Sequence, residues 1–368
     1  MVVPIKIDVS AFAKNDTAAR ESPRERLLPG SPSLTGVVSQ DGVSFARFRH
    51  ELRPRYARAW LDVATRWALL AGGLIAICAA SARWGWGAMW LVVPAAAWIG
   101  FWFASVVLFM HEGAHFQLHP DKSTNDRLAN LAICWMTGDD IRAYRVLHWQ
   151  HHLHLGDLQD TEVSYRYAPT LRYALETLFG VHAWQVFRHH LDIRVDPDAP
   201  ATGHGRGIPF VRGFLVHAAI LAGPVWAGLW PAVAAWVLGV AVVFPYCSGL
   251  RQQLEHRSTE ASSAIDYARV PHGAVNRMFR RTPFARAFGS AGFDRHLLHH
   301  WEPTVSYTCF DELEAFFMAT DFATRIDAVR TTYLTIWRQL AKTWGPAGPA
   351  ASLLGVPASD ELQVRRPP

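Results

Sequence analysis

The stretch His148-Trp-Gln-His-His-Leu-His154 places four imidazoles within seven residues and decides how the rest of the chain is interpreted. On a helix, His148, His151 and His152 stand at positions i, i+3 and i+4. Their rings then project from one face and can converge on one point. Packing alone does not explain such a density of histidine, so the stretch predicts a metal site on a helix.

Two further stretches have related spacing. His111-Glu-Gly-Ala-His115 is an i, i+4 pair, and His296-Leu-Leu-His299-His300 repeats the i, i+3, i+4 triplet. A single pair of this kind is common by chance and is weak evidence for a metal, but three boxes in one chain are strong evidence. The predicted metal ligands are His111, His115, His148, His151, His152, His296, His299 and His300.

A ninth candidate follows the second long apolar run, in Arg251-Gln252-Gln253-Leu254-Glu255-His256. A lone histidine beyond an apolar helix is ordinarily solvated or hydrogen-bonded, so His256 is included because of the other eight. Gln252 stands four residues before it and is a weaker candidate. Eight or nine imidazoles exceed the four ligands of a zinc site, which makes two metal ions the natural number.

The chain is too apolar for an ordinary soluble protein, since half of its 368 residues are hydrophobic and 18% are charged. Residues 67–110 contain one charged side chain, Arg83, and residues 213–250 contain none, although His217 could ionise. Each run is long enough to cross a bilayer twice. Glycines and interfacial tryptophans near residues 84–86 and 228–231 mark the turns. We therefore predict an all-α membrane protein with four transmembrane helices in two hairpins.

The positions of the basic residues predict topology and domains. Of 36 Lys and Arg residues, Arg83 is the only one inside the two runs, so both termini and the central segment are expected on the cytoplasmic side. The predicted domains are a mobile tail at 1–54, a membrane domain at 55–344 and a frayed tail at 345–368. Within the membrane domain we predict hairpins at about 60–110 and 213–250, a cytoplasmic segment at 111–212 and a helical cap at 251–344 that carries the last histidines.

Several other classes of protein are disfavoured. The net charge of +5 comes from positives that border the apolar runs and form no aromatic-interleaved patch for nucleic acid. The four cysteines form no CxxC pair, and no nucleotide-binding glycine motif is evident, which disfavours a built-in nicotinamide or flavin reductase. A membrane metal transporter should carry ionisable groups within its spans, whereas here the histidine boxes flank them.

Imidazole suits zinc, copper, iron and nickel alike, so residue type does not choose the metal; chemistry on an apolar lipid favours iron with O2. The three boxes around two predicted hairpins resemble the integral-membrane fatty acid desaturase superfamily, over roughly residues 111–307 and the preceding hairpin. The resemblance implies a non-haem di-iron centre at the cytoplasmic membrane face, held by the eight box histidines and His256. Gln252 matches a position where the family holds a metal-bound water.

The resemblance also implies a reaction. Such enzymes use O2 and electrons from a separate donor, such as a ferredoxin or a small haem protein with its reductase, to remove two hydrogens from an acyl chain. The substrate would be an acyl lipid or an acyl thioester. Hydroxylases and ketolases of the superfamily share the boxes and are not distinguished from desaturases. Asp160, Asp157 and Glu255 are candidates for fixing histidine tautomers, although an incidental surface ion pair is an equally good explanation for each.

Overall fold

The computed structural model describes residues 31–192, 209–262 and 264–342. The predicted tail at 345–368 and residues 1–30 of the predicted N-terminal tail lie outside the described residues. The helices are α1 Phe45–Glu51, α2 Tyr56–Trp84, α3 Val92–Val107, α4 Phe109–Ala114, α5 Lys122–Ala132, α6 Ile141–His154, α7 Leu171–Leu178, α8 Val181–Asp192, α9 Pro209–Trp226, α10 Trp230–Leu238, α11 Phe244–His256, α12 Pro283–Phe288, α13 His296–Trp301, α14 Phe310–Met318, α15 Ala323–Val329 and α16 Tyr333–Lys342.

Extended structure is minimal in the described part of the chain. Strands β1 (Met278–Phe279) and β2 (Arg330–Thr331) pair in parallel, with Met278 opposite Arg330. This two-residue ladder ties the segment before the third histidine box to the link between α15 and α16. The prediction of an all-α fold is confirmed.

Helices α2 and α3 lie side by side. The chain turns at Gly85, whose φ of +53° lies in a region that an L side chain rarely adopts. The indole Nε1 of Trp98 on α3 then donates a hydrogen bond to the Leu69 carbonyl on α2, at 2.7 Å. Ile99 and Phe103 are buried in the main hydrophobic core, which extends from these helices into the histidine-bearing region.

Helices α9 and α10 are also neighbours, joined by a turn in which Gly228 has a φ of +68°. Trp236 on α10 donates from Nε1 to Nδ1 of His217 on α9, at 3.3 Å. From α10 the helix continues through a π-helical segment, Gly239–Val243, into α11. π-helical segments are rare in proteins, and those that occur are often found near functional sites.

Two stretches are long and apolar enough to cross a membrane, Tyr56–Ala114 and Trp230–His256, and Val211–Trp226 is a shorter apolar helix. The first stretch contains α2, α3 and α4, so it includes a turn. The number of crossings and the side of the membrane on which the termini lie stay predictions.

Two glycines bring the membrane-length stretches into direct contact. A Cβ added to Gly100 on α3 would lie 2.5 Å from the Gly239 carbonyl oxygen and 2.4 Å from Cβ of Val243. A Cβ on Gly239 would lie 3.0 Å from the Ala96 carbonyl oxygen. The backbones of α3 and of the α10–α11 helix therefore touch, and this contact fixes the relative positions of the helix ends that carry His111 and His256.

The described part of the predicted N-terminal tail is packed against the C-terminal region. The ring of Phe48 on α1 stacks on Phe316 of α14 with centroids 4.4 Å apart, and Phe45 is buried. The hydroxyl of Ser31 donates to the His300 carbonyl at 2.7 Å. The predicted domain boundaries themselves stay predictions.

Candidate metal centre

The histidine boxes are carried by helix ends. Helix α4 continues the line of α3 and carries His111, while His115 follows as its C-terminal cap residue. Helix α6 begins at Asp140, whose side chain accepts from the Arg142 backbone N–H, and carries the second box through its last two turns. His256 is the final residue of α11. Two of the contributing helices are thus the ends of the membrane-length stretches.

The third box depends on a sharp turn. Ala291 and Gly292 have φ values of +55° and +84°, and residues 293–295 separate them from the short helix α13. A Cβ on Gly292 would lie 2.4 Å from Cβ of Tyr307, so the turn requires glycine there. The turn directs α13 back toward α4 and α6.

The side chain of Arg145 on α6 fixes the end of α4. Its Nε donates to the Ala114 carbonyl at 2.7 Å and its Nη2 to the Gly113 carbonyl at 3.1 Å. These carbonyls belong to the last turn of α4, where a cation stabilises the helix dipole. Asp126 balances the buried charge, with Oδ1 2.5 Å from Nη2. The histidine spacing gave no signal of this support.

The structure gathers all nine predicted ligands into two clusters. Within each cluster the ligand nitrogens lie within 4.8 Å of one another, and every ring is buried. The five-histidine cluster consists of His111, His115, His148, His152 and His299. The four-histidine cluster consists of His151, His256, His296 and His300.

The division follows the helical spacing. His148 and His152, at i and i+4 on α6, enter the five-histidine cluster, whereas His151 between them enters the other. On α13 the i, i+4 pair His296 and His300 enters the four-histidine cluster, and the histidine preceding His300 enters the five-histidine cluster. Each triplet therefore serves both clusters, which lie side by side along α6 and α13.

The nitrogen spacing suits metal coordination. In the five-histidine cluster Nε2 of His299 lies 2.7 Å from Nε2 of His111 and 2.8 Å from Nε2 of His152. In the four-histidine cluster Nε2 of His296 lies 3.0 Å from that of His256 and of His300. Two nitrogens bound at right angles to one ion at about 2.1 Å would be about 3.0 Å apart. The donor set fits one ion in each cluster.

The protonation state of the cluster histidines also favours metal binding. Burial, followed by the neighbouring imidazoles, holds the pKa of His148, His152 and His299 well below its ordinary value of 6.5. Burial and then the Arg145 charge lower the pKa of His115 to about 3. These rings are neutral at pH 7, which is the form that binds a metal.

His151 differs from the other rings. Burial opposes its charge, but the nearby carboxylates of Asp160 and Glu162 outweigh burial and raise the pKa of His151 to about 9. Its Nδ1 lies 2.8 Å from Oδ1 of Asp160, and its Nε2 has no hydrogen-bond partner. Because Asp160 holds the proton on Nδ1, a metal that displaces the Nε2 proton finds the Nε2 lone pair directed at the other cluster nitrogens.

Asp160 is fully buried, and besides its contact with His151 it accepts hydrogen bonds from three donors. The Tyr165 hydroxyl donates to Oδ2 at 2.5 Å, and the Glu162 backbone N–H donates to Oδ1 at 2.8 Å. The Gly156 backbone N–H is the third donor: it lies 3.3 Å from Oδ2 and also donates to the Tyr165 hydroxyl oxygen at 2.9 Å. Tyr165 was not predicted, because nothing in the histidine spacing refers to it.

The other predicted supporting residues contact different partners. The Asp157 side chain is 56% exposed, and its Oδ2 lies 3.8 Å from Nδ1 of His154, which belongs to neither cluster. Glu255 is buried and pairs with Arg251. Oε1 of Gln252 accepts from the Ser164 backbone N–H at 3.1 Å. Their suggested roles around a metal stay predictions.

Comparison with known families identifies the chain. The family model described as fatty acid desaturase matches residues 88–320, which include both clusters completely. The chain belongs to the fatty acid desaturase family. No curated protein matches it significantly. Membership in this family implies an oxidoreductase of the desaturase and hydroxylase type, the buried histidine clusters fit a metal site, and the family is associated with membranes.

Proposed function

We propose that this desaturase family member uses O2 and externally supplied electrons to introduce a double bond into an acyl chain. The observation that carries the proposal is the division of nine buried imidazoles into adjacent clusters of five and four. Two non-haem iron ions held there would supply the redox chemistry that couples reduction of dioxygen to water with removal of two hydrogens from adjacent methylene carbons. Two electrons come from a separate carrier, such as a ferredoxin or a small haem protein with its reductase.

The chain's own residues provide the setting for that chemistry. His111, His115, His148, His152 and His299 would hold one ion, and His151, His256, His296 and His300 the other. Asp160 keeps the proton on Nδ1 of His151. Burial of every ring excludes bulk water, which would otherwise compete for the metals and quench reactive species.

The proposal includes a membrane topology. Four transmembrane helices in two hairpins, with both termini and a helical cap on the cytoplasmic side, are supported by the turns at Gly85 and Gly228 and by the scarcity of charge in the two runs. The metal clusters would then lie at the cytoplasmic membrane face, where a carrier protein can deliver electrons.

Lipid analysis by mass spectrometry tests the proposal. A host with a suitable electron carrier would express the wild-type chain, His151→Ala or His299→Ala, with His50→Ala as a control histidine outside both clusters. We expect a product two mass units lighter from the wild type and from His50→Ala, and none from the cluster variants. A product sixteen units heavier would instead establish the alternative, a hydroxylase of the same family.

A further inference from the structure

A narrow pocket, with free space for about one water molecule, lies between three helices close to the metal centre. Its walls come from α3, α11 and α12, and its lining residues are Phe101, Ala104, Ser105, Leu108, Cys247, Ser248, Arg251, Ala287 and Phe288. The α3 and α11 walls belong to the two membrane-length stretches, Tyr56–Ala114 and Trp230–His256. The pocket is therefore bounded largely by helix surface of the kind that faces hydrocarbon.

The inner end of the pocket is one aromatic ring away from both clusters. The Arg251 guanidinium carbon lies 4.2 Å from the centre of the Phe293 ring. The centre of that ring also lies 4.6 Å from the centre of the His111 ring and 4.7 Å from that of the His296 ring. His111 belongs to the five-histidine cluster and His296 to the four-histidine cluster. Phe293 thus contacts both a residue of the pocket wall and one histidine of each cluster.

The outer end has the composition of a membrane interface. Phe284 on α12 is 57% exposed and lies beside Phe101, with ring centroids 6.5 Å apart. Arg280 and Arg286, on either side of Phe284 in the sequence, are also exposed. An exposed aromatic ring flanked by arginines suits the boundary between acyl chains and lipid phosphates.

The polar groups at the pocket are largely engaged with protein partners, which decides what part of a lipid can enter. The Ser105 hydroxyl donates to the Ala287 carbonyl at 3.2 Å. The positive charge of Arg251 is paired with Glu255. A lipid phosphate would have to displace the Glu255 carboxylate from Arg251, whose buried Nε has no hydrogen-bond partner, whereas methylene groups match the remaining phenylalanine, alanine and leucine surface.

We propose that this pocket is the lateral entrance through which one acyl chain of a bilayer lipid approaches the histidine clusters, with Phe293 as the barrier at its inner end. The inference rests on the proposed function and specifies a substrate that stays in the membrane, with its phosphate near Arg280 and Arg286. The reacting carbon is then set by its distance from the head group, because the mouth and Phe293 are fixed points of the fold.

Photo-crosslinking tests the entrance without turnover. The full-length metal-loaded protein would be placed in vesicles of phosphatidylcholine that carries a diazirine in its acyl chain, and labelled peptides mapped by mass spectrometry. Ala104→Trp fills the pocket from α3 and Ala287→Phe fills it from α12. Val93→Trp places the same side chain at a position on α3 that is 72% exposed and away from the pocket. Retained metal content shows that each variant folds.

We expect label on residues 101–108 and 247–251 of the wild type and of Val93→Trp, and its loss in both pocket variants. Label that survives both pocket variants, or that unlabelled water-soluble acyl thioester displaces better than unlabelled phosphatidylcholine, would overturn the entrance. The two proposals fail separately. Unaltered product formation in both pocket variants would refute the entrance alone, whereas pocket labelling in a protein that changes no acyl chain would refute the proposed reaction alone.

Discussion

Replacing Asp160 by Asn tests how the protein prepares its metal ligands. Oδ1 of Asp160 lies 2.8 Å from Nδ1 of His151, and Oδ2 accepts from the Tyr165 hydroxyl at 2.5 Å. If the amide oxygen of the variant keeps the contact with His151, its NH2 group must face the Tyr165 hydroxyl, which already accepts from Gly156. Two donors would then oppose each other, and the negative charge next to His151 would be gone.

The expected loss of metal affinity follows from the role of a side chain that orients a metal-bound histidine. Loss of the group that orients a metal-bound histidine typically costs ~10–100-fold in affinity, or ~1.4–2.7 kcal/mol. The four-histidine cluster contains His151 and should lose affinity by that factor, while the five-histidine cluster should change little. Without the Asp160 carboxylate, burial would also lower the pKa of His151 from about 9.

Chelator competition followed by elemental analysis measures this effect. Asp160→Asn should release the ion of the four-histidine cluster at a ~10–100-fold lower chelator concentration than the wild type does. Asp157→Asn is the matched control, because its carboxylate is half-exposed and contacts neither cluster. Equal metal retention by Asp160→Asn and the control would refute the idea that this carboxylate prepares His151.

Three further outcomes are expected. Metal affinity of the four-histidine cluster should fall about tenfold per pH unit below about 9, because the metal must displace a proton from His151. Isothermal titration in buffers of different ionisation enthalpy would count that proton. A pH-independent affinity would contradict the ion pair with Asp160. The metal-free protein should melt at lower temperature as the pH falls below 6.5. In the unfolded chain the imidazoles then bind protons, whereas in the folded protein buried rings such as His148 and His152 have lowered pKa values and stay neutral. A melting temperature that does not change between pH 7 and 5 would count against the burial of these rings. Gly100→Ala should destabilise the fold by ~1–3 kcal/mol, because the added methyl group overpacks against the Gly239 backbone. Gly72→Ala is the control, since the space around its Cβ position is open, and it should not destabilise the fold. Equal shifts in melting temperature for the two variants would contradict the close helix contact.

The composition of the metal centre was largely accessible from the sequence. Spacing of i, i+3 and i+4 puts three rings on one face of a helix whatever surrounds the helix. The ligands of the second and third boxes could therefore be predicted without knowledge of the tertiary structure. His256 was predicted as a ligand only because eight other candidates were present, and in the structure its Nε2 lies 3.0 Å from Nε2 of His296. The helical class and the turn glycines likewise follow from local rules of hydropathy and backbone conformation.

The arrangement of the ligands could not be predicted in the same way. Which of His151 and His152 joins which cluster depends on how α6 is rotated against α4, α11 and α13, and that rotation is set by contacts distant in the sequence, such as Arg145 with the end of α4. Tyr165 and Phe293 carry no recognisable motif, and their roles arise from the positions of other residues. Glu255 was predicted from its place beside His256, but its carboxylate pairs with Arg251.

Metal stoichiometry in paired ligand variants tests the central claim, that nine histidines form two separate metal sites. Iron would be determined per chain in the wild type, in His148→Ala from the five-histidine cluster and in His296→Ala from the four-histidine cluster. We predict two ions in the wild type and one in each variant, with the remaining ion in a different environment in the two cases by Mössbauer spectroscopy. A single ion in the wild type, or zinc at full occupancy without iron, would contradict the account.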